Sequence, residues 1–535
     1  MSLQEPRTDS NTRRIVIAYL LATGAFMLLS VPLSYAHPEL GAFRNWQTAL
    51  SPLLLVALLW RGDLAALGRV DVPRRLVLAF GASTLAWCIG LQLSRYGSFA
   101  INGVDFSIFD WMLYNTNHRQ FMYSPIYAVN HFGVHPSYVL LPLVPLHRLF
   151  ETPLMLVMVT ALSVWAAVIP LWKLTQRLLG NGAWPVLVSL AYLTCPWVAV
   201  LLDGGFRPEV LYPVFGLTFA LGWVERRARL WIPAVVLFLA IKEDAAFYVT
   251  AVAAGVLVFE RSRWRAGLGL LVGSLSLLAL NIGVVQPLAL EGSTMRQPGY
   301  LHFWGHLGGS LPEILGSMVR APHRIALDVL QSGWWRMLLP LLLLPFASRL
   351  PLMGMLPTLF LLGSASYGMM RNFKTYYPVT LVPFVLWGLL EAWRNVERLK
   401  LRGRVRDAVF VVAVLTFPLV GGGYAKSAPP DFALLAQTRA LGERLSSHQG
   451  AVCTQTALFP HLPYSLDLQP LFEEGCLDRP GAVAVVNLSL NPYPLGTERL
   501  EAFARSARAE AFGDGFLLLY PNAPGIEGQA GPLTP

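Results

Sequence analysis

The chain has 535 residues, of which 55% are hydrophobic and only 13% are charged, and its formal net charge is +10 at pH 7. Soluble globular domains carry about 25% charged residues, so this composition excludes an ordinary soluble enzyme and indicates an integral membrane protein. Because the Lys and Arg residues alternate with apolar runs of spanning length, they predict cytoplasmic loops and exclude nucleic acid as a partner.

The N-terminal region, 1–96, is predicted to contain three membrane spans. The first apolar run, 15–35, follows Arg13 and Arg14, which places the N-terminus in the cytoplasm. A cleaved signal peptide is the alternative, but its apolar segment has about 7–15 residues and this run is longer, so we expect an uncleaved span. The next two runs are 47–60 and 76–96.

Residues 97–152 are predicted to form a large outer loop, because the next uninterrupted apolar run begins at 153. Within this loop, the stretch 137–150 is apolar but contains Pro142 and Pro145. Such a stretch is typical of an interfacial or re-entrant helix.

The region 153–426 is predicted to be a transmembrane core. Its apolar runs end alternately in polar segments and in dense basic clusters such as 394–406, and the basic ends are assigned to the cytoplasm. A second outer loop is expected at 290–335. With the N-terminal spans, this pattern gives a polytopic α-helical membrane protein of about 13 transmembrane helices.

The tail, 427–535, is predicted to be a small α/β domain outside the membrane. It contains short apolar, strand-like runs, a tight-turn signal at Gly513-Asp514-Gly515, and a segment of helical character at 497–512. Cys453 and Cys476 lie in this domain, where an oxidising compartment would favour a disulfide. The alternative is that both are small buried apolar residues.

Unusual polar residues fall at the outer ends of the predicted spans. A single charge there is ordinary, but ionisable groups at membrane depth are costly, and several clusters on one face indicate a functional site. The candidates are Asp105, Asp110, His131, His135, Arg207, Glu209, Lys242, Glu243, Asp244, Arg371, Lys374, Tyr376 and Tyr377. The apolar runs on either side of 242–244 are barely long enough to cross the membrane. The carboxylates of Glu243 and Asp244 should therefore be partly buried and need a cation or metal partner.

Five short motifs together resemble a prokaryotic family of predicted membrane proteins classed as a domain of unknown function. They are Asp-x4-Asp at 105–110, His-Pro-Ser at 135–137, Phe-x-Pro-Glu at 206–209, Lys-Glu-Asp at 242–244 and Arg-Asn-x3-Tyr-Tyr at 371–377. The resemblance covers about 97–520. The chain departs from the family's pattern at Arg207, where His is common, and in its additional N-terminal spans.

By architecture, that family resembles the GT-C superfamily of glycosyltransferases. The resemblance implies a protein of the prokaryotic inner membrane that transfers a sugar, with inversion, from a polyprenyl-phosphate donor to a glycan, lipid or protein acceptor outside the membrane. It implies Asp105 as general base, with Asp110 as second choice, and phosphate binding by Arg207, Lys242, Arg371 and Lys374. The resemblance also implies that His131 and His135 orient the phosphate, or that they bind Mg²⁺ or Mn²⁺ together with Glu243 and Asp244. The other implied substrate-binding residues are Glu209, Tyr376 and Tyr377.

Two other functions fit the same pattern. A transporter or lipid flippase would use the outer cluster as the exit of a pathway, although transporters place polar groups near the bilayer midplane and often show internal repeats. A non-enzymatic membrane scaffold would need no convergence of the clusters. For the two histidines, hydrogen-bonded packing in the loop remains an equal alternative.

Overall fold

The computed structural model describes most of the chain. The described residues are 7–36, 46–62, 64–101, 103–293, 303–333, 338–371, 375–396, 403–416, 429–471, 475–492, 496–513 and 515–520. Helix dominates, and the strands are concentrated at the C-terminus. Lys374 and Asp514 lie outside the described residues.

The N-terminal half of the chain is helical. Its helices are α1 Arg7–Ala36, α2 Trp46–Arg61, α3 Arg74–Gly97, α4 Gly103–His118, α5 Leu143–Leu149, α6 Leu154–Ala166, α7 Val168–Leu179, α8 Trp184–Leu193, α9 Pro196–Gly204, α10 Tyr212–Val224, α11 Ala228–Leu239 and α12 Ala245–Phe259. A two-stranded hairpin, β1 Tyr123–Ser124 and β2 Val129–Asn130, follows α4.

The helices continue into the C-terminal half. They are α13 Trp264–Leu280, α14 Gln286–Leu290, α15 Leu311–Arg320, α16 Pro322–Gln331, α17 Arg349–Ser364, α18 Gly368–Arg371, α19 Leu381–Val396, α20 Gly403–Thr416, α21 Phe432–Leu445 and α22 Thr497–Ser506. The five strands of the tail are β3 Val452–Thr454, β4 Leu468–Pro470, β5 Val483–Asn487, β6 Arg508–Phe512 and β7 Phe516–Tyr520.

The predicted count of about thirteen spans is not confirmed. Among the described residues, four helices are long and apolar enough to cross a membrane, and α8 with α9 makes a fifth if this pair, bent by 50°, is one span. The bend occurs at Cys195, which is extended because a proline follows it. Six further apolar segments form helices of 10–17 residues, shorter than the roughly 20 residues that a bilayer requires.

The apolar run 337–348, which the count of about thirteen spans included as one of them, does not form a continuous helix. Its described part consists of two short 3-10 turns, Leu339–Leu341 and Leu344–Ala347. Between them, Leu342 and Leu343 adopt positive φ values of 52° and 54°. Pro340 and Pro345 cannot donate the backbone hydrogen bonds of a helix, which explains the interruption.

The predicted α/β tail is a five-stranded mixed sheet with strand order β4-β3-β5-β7-β6. Strand β3 runs parallel to β4 and β5, whereas β7 is antiparallel to β5 and β6. The expected helix at 497–512 is wrong in its second half, because it ends at Ser506 and β6 follows. Gly513 and Gly515, with φ of 57° and 99°, permit the tight return into β7.

A disulfide joins Cys453 in β3 to Cys476, the pairing predicted from the sequence. Both cysteines belong to a small apolar cluster on one face of the sheet, with Ala484 and Leu519 of the neighbouring strands. Cys88 and Cys195, the two cysteines of the helical body, are buried and free.

The tail domain is docked on the helical body beside the start of α4. The hydroxyl of Tyr96 donates to the carbonyl of Pro460 at 2.9 Å, and the ring of His461 lies 4.4 Å from the ring of Tyr96. A Cβ on Gly103 would lie 2.1 Å from the carbonyl oxygen of Thr456, so the approach requires glycine there. The tail domain therefore fixes one side of α4, the helix that carries both candidate aspartates.

Candidate functional site

The segment after α9 fixes Arg207 in place. The helix ends at Gly204, Gly205 takes a φ of 79°, and Arg207 is extended before Pro208 begins a short 3-10 turn. A Cβ on Gly204 would lie 2.8 Å from Nη1 of Arg207. Gly204 thus leaves the room in which the guanidinium folds back against the backbone, and Gly205 supplies the left-handed turn.

Arg207 holds the carboxylate of Asp105. Its Nε and Nη2 both donate to Oδ2 of Asp105, at 3.0 and 2.7 Å. The guanidinium also stacks over the ring of Tyr376, with 3.9 Å between Cζ and the ring centroid. The side chain of Arg207 is 5% exposed and that of Asp105 is 26% exposed. A buried cation therefore orients a carboxylate that remains accessible from the solvent.

The Lys242-Glu243-Asp244 segment between α11 and α12 contributes three groups with separate partners. Nζ of Lys242 lies 3.3 Å from Oε1 of Glu209. Oε1 of Glu243 lies 2.8 Å from Nδ1 of His135, and Asp244 accepts hydrogen bonds from two tyrosine hydroxyls, those of Tyr212 and Tyr248. The predicted burial of this segment agrees with its position, and Lys242 pairs with Glu209, outside the segment.

The site also contains buried polar atoms without a hydrogen-bond partner among the described residues. They are Nδ1 and Nε2 of His131 and Oε2 of Glu243. The ring of His131 packs edge-on against Phe109, 5.2 Å away, and 5.9 Å from the ring of His135. Leaving such a group unpaired costs about 1–3 kcal/mol, so a bound molecule that pairs with them would recover this energy.

The electrostatics of His135 and Glu243 show that these groups form one cluster. Burial raises the pKa of Glu243 to about 7, against the opposing effect of Lys242. Burial and Lys242 lower the pKa of His135 to about 3, while Glu209, Asp244 and Asp105 act in the opposite direction. His135 is therefore neutral at pH 7, Glu243 is close to half-protonated, and the field of Asp105 reaches His135.

Asp110, the second predicted base, lies in a different environment. Five residues along an α-helix correspond to a rotation of about 140°, so it faces away from Asp105. Its side chain is 0% exposed, the hydroxyl of Tyr464 donates to its two oxygens at 2.8 and 2.9 Å, and Nε2 of His147 lies 3.6 Å away. Burial raises the pKa of Asp110, whereas His147 and Tyr464 lower it. Asp110 thus ties α4 to the tail domain.

The aromatic and basic motif at 371–377 is only partly brought to the site. Tyr376 and Tyr377 are stacked, with 4.4 Å between ring centroids, and Tyr376 covers Arg207. Arg371 instead donates to the backbone carbonyl of Asp328 in α16 at 3.4 Å. Its predicted role in phosphate binding is therefore not supported by this contact.

The predicted divalent ion has no ligand set in the described part of the chain. Glu243 faces His135, and Asp244 faces two tyrosines. Within that part, no three His, Cys, Asp or Glu side chains are grouped so that they could hold a metal ion. The divalent ion therefore stays a prediction, and the chemistry below is assigned to side chains.

Two residues of this region carry no signal that sequence reasoning could use. Tyr464 is 354 positions from Asp110 and becomes its neighbour only when the tail domain docks. His147 lies in the apolar stretch that was expected to be interfacial, and it is buried in α5. Both belong to the junction between α4 and the tail. They are not part of the cluster around Asp105, which consists of Asp105, His131, His135, Arg207, Glu209, Lys242, Glu243, Asp244, Tyr376 and Tyr377.

Solved structures with a similar architecture are GT-C glycosyltransferases. ArnT from Cupriavidus metallidurans bound to undecaprenyl phosphate has a TM-score of 0.46 and 11% identity, covering 85% of this chain and 100% of its own. The arabinofuranosyltransferase AftD from Mycobacteria has a TM-score of 0.41 and 18% identity, covering 79% and 36%, respectively. The oligosaccharyltransferase of Archaeoglobus fulgidus, in complex with Zn and sulfate, has a TM-score of 0.40 and 10% identity, covering 76% and 68%.

With TM-scores below 0.5, these likenesses transfer no residue role to this chain. No curated protein matches it in sequence. Residues 95–463, which include every member of the cluster around Asp105, match the family described as "Predicted membrane protein (DUF2079)". This match spans more than half of the chain, so the protein belongs to the DUF2079 family of predicted membrane proteins.

Proposed function

We propose that the protein is a membrane glycosyltransferase that moves a sugar from a polyprenyl-phosphate donor to an acceptor hydroxyl, with inversion. The observation that carries the proposal is the carboxylate of Asp105. It is a quarter exposed at the end of the helical body, and a buried guanidinium holds it in one orientation. A general base needs this combination of access and fixed geometry.

In the proposed reaction, Asp105 accepts the proton of the acceptor hydroxyl. The hydroxyl oxygen attacks the anomeric carbon of the donor sugar and forms the new glycosidic bond. The bond between that carbon and the phosphate oxygen breaks, and the polyprenyl phosphate leaves with the electron pair. One displacement on the face opposite the leaving group inverts the anomeric centre.

The leaving phosphate needs positive charge and hydrogen-bond donors. Lys242 is 15% exposed and is paired with Glu209 at 3.3 Å, so an incoming phosphate competes for its ammonium group. A neutral imidazole carries one N–H donor, and both nitrogens of the buried His131 are without a partner among the described residues. Protonation of Glu243 near pH 7 removes one negative charge from this region. These features support a phosphate subsite beside Asp105.

We further propose that this face of the protein is extracytoplasmic, in the inner membrane of a prokaryote. The helix α10 begins beside Asp244, at Tyr212, and ends before the basic segment 225–229, so the cluster and these arginines lie at opposite helix ends. Short basic loops stay in the cytoplasm. Impermeant thiol labelling of intact cells should modify Ser446→Cys in the tail and spare Arg226→Cys; the reverse pattern contradicts the orientation.

The decisive experiment compares two aspartates that are each paired with an arginine. Asp105→Asn keeps the shape and a hydrogen-bond acceptor but cannot take up a proton at neutral pH. Asp203→Asn is the matched control, because Asp203 is paired with Arg95 at 3.1 Å and is 31% exposed. The measurement is transfer of radiolabelled sugar from polyprenyl-phosphate donors by purified protein in liposomes.

We expect Asp105→Asn to abolish transfer and Asp203→Asn to retain it. Full transfer by a folded Asp105→Asn variant contradicts the assignment of the base. If the label crosses the bilayer without forming a new glycosidic bond, the protein is a transporter or flippase and the proposed function is wrong.

A further inference from the structure

A second polar cleft lies on the other side of α4, between its C-terminal half and the tail domain. Its cavity volume is about 240 Å³, below the range of roughly 300–1,000 Å³ that is typical of sites for drug-sized ligands. Its walls come from α4, from the residues that follow it and from strand β4. The lining side chains that matter are Trp111, Asn115, Arg119, Gln120, Gln469 and Arg479.

The inner wall of the cleft contains a donor and an acceptor that lack protein partners. Trp111 and Asn115 are 1% and 3% exposed, respectively. Nε1 of Trp111 and Oδ1 of Asn115 have no hydrogen-bond partner among the described residues, whereas Nδ2 of Asn115 donates to the carbonyl of Tyr123 at 3.1 Å. Each unpaired group costs about 1–3 kcal/mol. A hydroxyl group, which donates and accepts at once, complements this pair.

The charged side chains of the cleft are already engaged. Arg119 donates to the carbonyl of Tyr464 at 3.3 Å and lies over the ring of Tyr114. Arg479 lies 3.5 Å from Asp467, and the amide of Gln469 also donates to Asp467. The cleft therefore offers both donors and acceptors, and its charged groups already have protein partners, which suits a hydroxyl-rich ligand.

We infer that this cleft binds a saccharide unit of the acceptor, an assignment that rests on the proposed glycosyl transfer. Ten residues of helix separate Asp105 from Asn115, or about 15 Å along the axis. A single sugar held in the cleft cannot also reach Asp105. The acceptor is therefore a glycan chain, with one unit in the cleft and its reacting end beside the base.

The test uses the full-length protein in detergent and methyl glycosides of glucose, galactose, mannose, N-acetylglucosamine and arabinose as probes. Saturation-transfer NMR and titration measure their binding. Trp111→Phe removes only the unpaired N–H and keeps an aromatic ring, and Gln469→Ala removes an amide at the rim. Gln437→Ala, an amide of α21 outside the cleft, is the matched control.

We expect at least one methyl glycoside to bind, with about tenfold weaker binding to Trp111→Phe and Gln469→Ala and unchanged binding to Gln437→Ala. The inference is overturned if no glycoside binds, or if both cleft variants bind as the unchanged protein does. Transfer activity without binding in the cleft contradicts this inference alone. Binding that follows the predicted pattern, in protein that never transfers sugar, supports the cleft and contradicts the proposed function.

Discussion

The two faces of α4 show how one helix gives the same residue type two different tasks. Asp105 is partly exposed, paired with a buried arginine, and close to buried polar atoms that lack a partner within the described residues. Asp110 is fully buried, and a single tyrosine hydroxyl serves both of its oxygens. Access and unsatisfied neighbours indicate chemistry at Asp105, whereas burial and the hydrogen bonds to both carboxyl oxygens indicate a structural role for Asp110 itself.

The largest expected effect is on transfer by variants of these two aspartates. Asp105→Asn should slow transfer by about 10³-fold, since a positioned general base contributes roughly 10²- to 10⁴-fold. Asp110→Asn keeps an oxygen that accepts from Tyr464, so its rate should stay within about tenfold of the unchanged protein. Initial rates of the two purified variants, at equal folded concentration, measure the difference.

The assignment of different roles to Asp105 and Asp110 is wrong if the two substitutions have the opposite effects on transfer. A folded Asp110→Asn variant without activity, beside a fully active Asp105→Asn variant, would move the base to the junction with the tail domain. Near-ultraviolet circular dichroism serves as the folding control for both.

The next effect concerns the disulfide of the tail domain, which packs on the Asp110 face. The bond closes a loop with a sequence separation of 23, and the chain-entropy argument gives about 3 kcal/mol of stabilisation for a loop of this size. Replacing Cys453 and Cys476 by Ser should therefore lower the free energy of unfolding of the tail while the cluster around Asp105 keeps its geometry. Proteolysis of the tail in increasing urea measures the loss.

The bond itself is checked on protein exported normally. Mass spectrometry of unreduced peptides should find the two cysteines linked. Two free thiols there would remove this prediction and the stabilisation attributed to it.

The parts of the fold that the sequence could predict are those governed by local pattern. Apolar runs located the helical body, and β-branched or aromatic runs located β3, β5 and β7. Strand β4 contains Pro470 and pairs at the edge of the sheet, so it lacked a strand pattern. The number of spans could not be predicted, because six apolar segments form helices shorter than a bilayer requires, and their depth depends on packing.

The site was predictable where its residues are close in sequence or share a motif. Lys242, Glu243 and Asp244 were expected to be partly buried, and they meet Glu209 and His135. The pairing of Asp105 with Arg207, 102 positions away, depends on the turn after α9 and has no signal in either segment alone. The same limit applies to Asp110, because its partner Tyr464 is in another domain.

A smaller effect is expected at the hydroxyl that joins the tail domain to Asp110. Tyr464→Phe removes the donor to both carboxyl oxygens and keeps the ring that stacks on Tyr114, 4.4 Å away. Loss of a hydrogen bond to a buried acidic group costs about 2 kcal/mol, so the melting temperature should fall. Transfer at low temperature should remain within a few-fold of the unchanged protein.

Tyr367→Phe is the matched control, because that hydroxyl donates to Sδ of Met369 in an exposed segment, away from α4 and the tail domain. Equal melting temperatures for Tyr464→Phe and the unchanged protein would show that Asp110 is not held by this tyrosine. If Tyr464→Phe lost transfer without losing stability, Asp110 and Tyr464 would belong to the same catalytic site as Asp105.

The smallest expected effect, when it is expressed per pH unit, is the pH dependence of stability in the cluster around Asp105. Burial raises the pKa of Glu243 from 4.5 to about 7, so its stabilisation is present below pH 4.5 and is lost as the pH rises through 7. The pKa of His135 is lowered from 6.5 to about 3, so its stabilisation is present above pH 6.5 and is lost as the pH falls through 3. Between pH 4.5 and 6.5, unfolding releases about one proton from Glu243 and takes up about one proton at His135. Their contributions to the pH dependence of the free energy of unfolding therefore cancel.

Glu243→Gln should remove the contribution of Glu243 to the pH dependence of stability and leave that of His135. The free energy of unfolding of this variant should then rise with pH, by about 1.4 kcal/mol per unit between pH 4.5 and 6.5, relative to the unchanged protein. Thermal unfolding in detergent at pH 4.5, 5.5 and 6.5 measures the slope. Glu443→Gln, at an exposed carboxylate of α21, should give the pH profile of the unchanged protein. Parallel profiles for Glu243→Gln and the unchanged protein would mean that Glu243 is ionised in the folded state across this range, and that the neutral carboxyl invoked beside the phosphate subsite is wrong.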